Sequence, residues 1–200
     1  MNPPQPTTFY DIGSGPSSKP FAPNPWKTRY ALNFSRAPHA TTFVPLPEVG
    51  ATRAALGLAP CRKHLDGSEF PTLPIIHDHN TTDDTLVGDS FDIALHLHTH
   101  YPAQPPLFPP HTAALHRADA GAVQKLKEFE AALGDLAAWF GRRGEGPFLE
   151  GATPMYADLI VGGWLQWMKA LLPEWEDLRG WDDGLWGGLF DALEEFAEVK

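Results

Sequence analysis

The chain has 200 residues, 42% of them apolar, with 15 Lys plus Arg against 25 Asp plus Glu and a formal net charge of −10. That apolar share supports a packed core and excludes a disordered chain, and the acidic balance argues against nucleic acid or an anionic membrane as partner. A single cysteine, Cys61, rules out an intramolecular disulfide framework, and no apolar run approaches the ~18 residues of a membrane span. The start, Met1 to Pro6, has neither a basic segment nor an apolar one, so a cytoplasmic, soluble protein is expected.

The two halves differ in composition. Of 21 prolines, 18 lie at or before Pro110, all nine histidines lie at or before His116, and six of seven tryptophans come at Trp139 or later. Five prolines between Tyr101 and Pro110 cannot sit inside a helix or central strand. The expected organisation is a mixed α/β module over 1–102, a proline-rich linker over 103–110 and an all-helical module over 111–200.

In chain order, Thr7 to Ile12 reads as a strand stopped by Gly13-Ser14-Gly15-Pro16. Asn24-Pro25 reads as a helix start, with Asn24 as N-cap and Pro25 at the first helical position. Thr41 to Val44 is a second strand. After a long loop, Leu73 to His77 and Thr85 to Gly88 form two more, joined by a polar turn. Ser90 is expected to cap a helix bearing Phe91, Ala94, Leu95, Leu97 and Tyr101. The second module begins with helix over about His111 to Arg142. A helix with Thr153 as cap and Pro154 at its first position follows, and a last one runs from about Asp182 to Glu198.

Three segments carry chemical information. Phe70-Pro71-Thr72-Leu73-Pro74-Ile75-Ile76 opens a strand with proline; a cis Leu73–Pro74 bond would present the Leu73 N–H and C=O to an extended peptide, and a trans bond would not. Gly88-Asp89-Ser90-Phe91 sets an acid and a hydroxyl at a strand-to-helix junction, suited to an ammonium and a carboxylate or to simple capping. In Phe148 to Asp158, the Asp158 carboxylate is placed to bond back to the preceding loop. That role is structural.

With these residues, the chain resembles the glutathione S-transferases. Phe148 to Asp158 matches their Phe-Leu-x-Gly-x-x-Pro-x-x-Ala-Asp capping motif at every fixed position. Tyr10-Asp11-Ile12, Phe21 to Asn33 and Trp181 to Phe190 look like the fungal etherase-related (FuA) class. The resemblance implies a thioredoxin-like domain with a cis Leu73–Pro74 bond and an acid–serine pair, Asp89-Ser90, followed by a shortened helical domain. It implies glutathione as substrate or cofactor, a hydrophobic small-molecule acceptor and a homodimer, with a place in secondary metabolism.

Within that resemblance Ala22, Asn24, Lys63, Thr72, Leu73, Pro74, Asp89 and Ser90 are the expected glutathione contacts, with His64 a substitute for Lys63. Phe21, Trp164 and Met168 are the expected acceptor pocket. Family members usually carry a serine where this chain has Ala22. Thiolate stabilisation is therefore expected from Asn24 and the helix start, with Ser14, Ser17, Ser18 or Tyr10 as substitutes. A helical insertion expected near His116 to Val123 is absent. Conjugation of the thiolate to an electrophile, glutathione-dependent trans–cis isomerisation of a polyketide double bond, and non-catalytic ligand carriage all fit this frame. A remote alternative, a metal hydrolase using His77, His79, His96, His98 and His100, is disfavoured because the last three lie on a helical segment that aligns only His96 and His100. No metal is expected. Cys61 is expected to be a loop thiol without a catalytic role.

Overall fold

The computed structural model describes residues 5–14, 19–63, 67–81, 83–103, 105–108, 133–138, 146–149, 151–172 and 175–200. Ser17, Ser18, His64 and most of the helix expected over 111–142 lie outside these; residues 133–138 are helical.

Strand β1, Thr7–Ser14, is the centre of a five-stranded sheet. β3, His39–Pro45, pairs with it in parallel along one edge. β6, Ile75–Asp78, pairs with its other edge antiparallel, and β7, Thr85–Val87, pairs antiparallel with β6. The two-residue β2, Lys19–Pro20, continues the β6 edge beside Gly13 and Ser14. Helix α1, Pro23–Phe34, connects β1 to β3, and α3, Ser90–His100, follows β7. The expected β-α-β-β-β-α frame is present. The long loop contains more than expected: helix α2, Val49–Ala55, and a small ribbon of β4, Arg62–Lys63, with β5, Glu69–Phe70.

Helix α4, Tyr156–Leu171, and helix α5, Trp175–Leu193, complete the described helical part. α5 is broken at Trp181–Gly184, where Asp182, Asp183 and Gly184 all take positive φ. The expected last helix is thus its second limb, and the first limb, from Trp175, was missed. The cap before α4 also differs: Met155, not Thr153, is the N-cap residue. Asp158 does bond back as expected, accepting from the N–H of Leu149 at 2.8 Å and of Met155 at 2.7 Å.

α1 is packed between the sheet and α4, which explains its weak amphipathic pattern: even Lys27, Thr28 and Arg29 are buried. Gly163 on α4 makes the close approach possible, since a Cβ there would lie 2.7 Å from the Pro23 carbonyl oxygen. Gln166 donates to the Tyr30 hydroxyl at 2.9 Å, and Tyr156 donates to the Ser90 carbonyl at 2.9 Å. The chain end also docks on the first half, with Thr41 N–H donating to the Lys200 carbonyl at 2.7 Å. In the proline-rich seam, Leu107 and Phe108 are buried in the main core beside Phe91 and Tyr156. Among the described residues, no helix is long and apolar enough to cross a membrane.

Candidate functional site

The site is built where the loop before α1, the loop before β6 and the start of α3 meet. Helix α1 begins two residues earlier than expected: Ala22 is its N-cap, and Asn24 lies inside the first turn. The reason is the doubled proline, Pro23 and Pro25, either of which suits a first turn. Both lack an N–H, and the Trp26 N–H is taken by the Ala22 carbonyl at 3.2 Å. Among the described residues, Asn24 therefore offers the free backbone donor of that first turn. The Asn24 side chain is engaged elsewhere, accepting from Lys27 Nζ at 3.0 Å.

The Leu73–Pro74 bond is cis. Leu73 packs its side chain with Ala22, Ile12, Val44, Val49 and Ile75 in a small second core, which fixes the loop before α1 against the loop before β6. No described residue takes the Leu73 N–H or C=O, so both are available to an extended ligand. At the start of α3 the order of roles is reversed from expectation. Asp89 is the N-cap, accepting from the Phe91 N–H at 2.8 Å, and Ser90 is the first helical residue. The shorter reach of Asp89 back to the helix N–H groups leaves the Ser90 side chain free of the capping role.

A small pocket lies between α1, the start of α3 and α4, lined by Lys27, Arg62, Asp89, Ser90, Phe91, Tyr156 and Ile160. It brings together Asp89 and Ser90 as expected and places Arg62, rather than its neighbour Lys63, in the wall. Lys63 is exposed on the β4–β5 ribbon opposite Glu69. Lys27 is 4% exposed. Burial lowers its ammonium to about 8, the nearby Arg62 charge pushes the same way, and Asp89 opposes both. Its Nζ also lies 5.3 Å from the centre of the Trp164 ring. Trp164 therefore borders the site. Met168 does not: it is 3% exposed and belongs to the core between α1, α4 and α5, a correction to its expected place in the acceptor pocket.

Phe21 lines a separate open groove of about 470 Å³ with Gly13, Ser14, Phe43, Pro45, Leu46 and Pro47, at the shared end of β1 and β3. Ser14 ends β1 opposite Lys19 and donates to the Lys19 carbonyl at 3.0 Å. Tyr10 sits mid-strand, opposite Thr42 and Ile75, and packs on the second core rather than at the strand end.

One residue of this region has no sign in the sequence. Arg53, from α2, is 3% exposed and donates to the carbonyls of Ala59, Thr72 and Gly88, tying together the three loops that flank the site. Nothing in the sequence distinguishes it from a surface arginine. Cys61, expected as a loop thiol, lies beside these loops, with its Sγ 3.4 Å from the Gly88 carbonyl and 3.6 Å from the Thr72 hydroxyl.

The His96–His100 segment is helical, as expected, and is absorbed by the fold. His96 Nε2 bonds to the buried Asp78 carboxylate at 2.7 Å, His100 stacks on His96, and His98 packs edge-on against Phe108. Burial alone would raise the Asp78 carboxyl, but hydrogen bonds from His96, Asn80 and Tyr101 hold it below its usual range.

Residues 112–196 match the family described as glutathione S-transferase, C-terminal domain. The chain is 25% identical to the glutathione S-transferase-like protein ustS of Aspergillus flavus over 256 aligned positions, taking in 96% of this chain and 91% of that one. An alignment longer than these 200 residues means that the relative has segments this chain lacks. Among solved structures, glutathione transferase GSTFuA2 from Phanerochaete chrysosporium is 26% identical, with a TM-score of 0.82 over 98% of this chain and 100% of that one. The glutathione S-transferase CsGST63524 of Ceriporiopsis subvermispora, solved in complex with glutathione, is 27% identical, with a TM-score of 0.83 over 98% of this chain and 99% of that one. With a thioredoxin-like sheet, a second part that matches the glutathione S-transferase C-terminal domain and these relatives, the chain has the glutathione S-transferase fold and is similar along nearly its whole length to fungal transferases of the FuA class.

Proposed function

We propose that the chain binds glutathione and activates its thiol for attack on a hydrophobic, electrophilic small molecule. The observation that carries this reading is the convergence of three elements on one site: the start of α1, the free Leu73 backbone and the Asp89–Ser90 junction. The Leu73 N–H and C=O pair with the peptide backbone of glutathione. Asp89 holds its ammonium, and the Ser90 hydroxyl with the α3 start receives the adjacent carboxylate. Arg62, from the pocket wall, supplies a cation for the second carboxylate in place of Lys63.

A free thiol has a pKa of ~8.5, and only the thiolate attacks. No serine hydroxyl stands at Ala22 to stabilise it. The Asn24 N–H, the positive end of α1 and the Lys27 ammonium do so instead. The attacking sulfur forms a bond to the electrophilic carbon, the electron pair displaced there takes up a proton from water, and the product is a thioether. The groove bordered by Phe21 and Phe43 holds the apolar part of the acceptor, with Trp164 on the opposite side of the site. A homodimer is the assembly that goes with this reading, and secondary metabolism is its setting.

Retention on immobilised glutathione tests the site directly. Wild type is expected to be retained, and Asp89→Ala combined with Ser90→Ala is expected to flow through with its thermal unfolding still cooperative. Unchanged retention of that variant would remove Asp89 and Ser90 from the site.

A further inference from the structure

The β6–β7 hairpin gathers three side chains of ligand type on the far side of the sheet from α3. His77, on β6, and His79, just past its end, are two residues apart and project from one face. Asp84 precedes β7 with φ of 49°, a left-handed conformation that aspartate tolerates, and its carboxylate turns back between the two rings. His77 Nε2 lies 3.0 Å from Asp84 Oδ2, and His79 Nδ1 lies 2.8 Å from Oδ1. The ring centres are 4.1 Å apart. The three ligand atoms all fall within 4.8 Å of one another.

His77 and His79 belong to the five histidines weighed in the sequence, but they lie off the helix whose geometry counts against His96, His98 and His100. His77-Asp78-His79 has the same spacing on an extended segment, where both rings share a face, and the carboxylate partner comes from across the turn.

The spacing suits a small divalent cation. Tetrahedral zinc, with bonds of about 2.0–2.2 Å to nitrogen and carboxylate oxygen, holds its ligand atoms about 3.3 Å apart. Without a metal, each facing ring nitrogen must carry a proton to bond to the carboxylate, and one cation replaces both protons. The far nitrogen of His79, Nε2, lies 3.2 Å from the Thr8 hydroxyl. Binding through Nδ1 leaves Nε2–H to donate there, the outer hydrogen bond that fixes the tautomer of a metal-bound histidine. The rings are 21% and 26% exposed and Asp84 63%, which leaves an open approach and room for water as a fourth ligand.

We propose that His77, His79 and Asp84 form a zinc site, in which the ion pins the β6–β7 turn from both sides. β7 leads directly into Gly88 and Asp89, so the ion anchors the strand that delivers the start of α3.

The test uses the full chain, purified without a histidine tag and stripped with chelator, titrated with zinc chloride against a chromophoric chelator. One zinc per chain is expected, with the intense visible bands of four-coordinate cobalt when cobalt(II) replaces it. His77→Ala, His79→Ala and Asp84→Ala are each expected to abolish the competing binding, and His100→Ala to leave it unchanged. Thr8→Val is expected to weaken it about tenfold. Thermal unfolding of the zinc-free variants separates lost binding from lost folding. Substoichiometric zinc, or binding that survives both His77→Ala and Asp84→Ala, would overturn the assignment.

Discussion

Replacing Asp11 with alanine is expected to lower the unfolding free energy by about 3–5 kcal/mol, the penalty for stranding one member of a buried ion pair. Both side chains of the Asp11–Arg29 pair are 0% exposed, at 2.5 Å. Arg29 also donates to the Thr41 hydroxyl at 3.2 Å and lies over the rings of Phe9 and Trp26. With Asp11 gone, the guanidinium has no charge partner and no water. The converse variant, Arg29→Met, is expected to cost less. Burial already raises the Asp11 carboxyl to about 6, against the pull of Arg29, so a carboxyl left alone escapes by taking up a proton.

The pH dependence follows in sign. Because the folded value is raised above the ordinary 3.8, proton uptake favours the fold. The contribution of Asp11 is fully present below about 3.8 and is lost as pH rises through about 6. The Arg29→Met deficit should therefore shrink as pH falls toward about 6, where the unpaired carboxyl has already taken up its proton, while the Asp11→Ala deficit should grow as pH falls on from about 6 to 3.8. Denaturant unfolding at several pH values checks both, and equal deficits at every pH would contradict the argument. The double variant, with both partners apolar, is expected to recover much of the loss.

Asp158→Ala is the second large effect, expected at about 2–4 kcal/mol from two backbone donors left without an acceptor. The carboxylate is 0% exposed and takes the Leu149 and Met155 N–H groups, one before and one at the start of α4. Losing it frees the loop over 146–149 from the helix that packs on α1. Asp158→Asn keeps one acceptor oxygen and should recover about half of the loss. Hydrogen exchange should quicken first at Leu149 and Met155, and a change within about 0.5 kcal/mol for the alanine variant would show the cap to be dispensable.

What the sequence revealed depended on how local each feature is. β1 and β3 announce themselves by β-prone runs, and the Phe148–Asp158 segment by a spacing that only a helix start explains. Leu73-Pro74 and Asp89-Ser90 were recognisable because turn and cap chemistry is written in adjacent residues. Even there, the exact cap moved by one or two positions, since Pro23 and Pro25, or Asp89 and Ser90, are near-equivalent choices. α2, Val49-Gly50-Ala51-Thr52-Arg53-Ala54-Ala55, buries only Val49 and Arg53, so no apolar stripe marks it. The burial of Lys27, Arg29 and Arg53 is set by partners far along the chain, and no local pattern records it. The same holds for Asp84, whose place between His77 and His79 depends on strand register across the hairpin.

The central claim, that this site binds glutathione and makes its thiolate without a serine hydroxyl at Ala22, has a direct optical test. The ultraviolet absorbance of the thiolate is followed against pH for glutathione bound to the wild-type chain and to Lys27→Met. The account predicts a bound thiol titrating about one unit or more below the free-thiol value of ~8.5 in wild type, with part of that shift lost in Lys27→Met. A bound thiol that titrates as it does in water, or no thiolate signal at all on mixing, would contradict it.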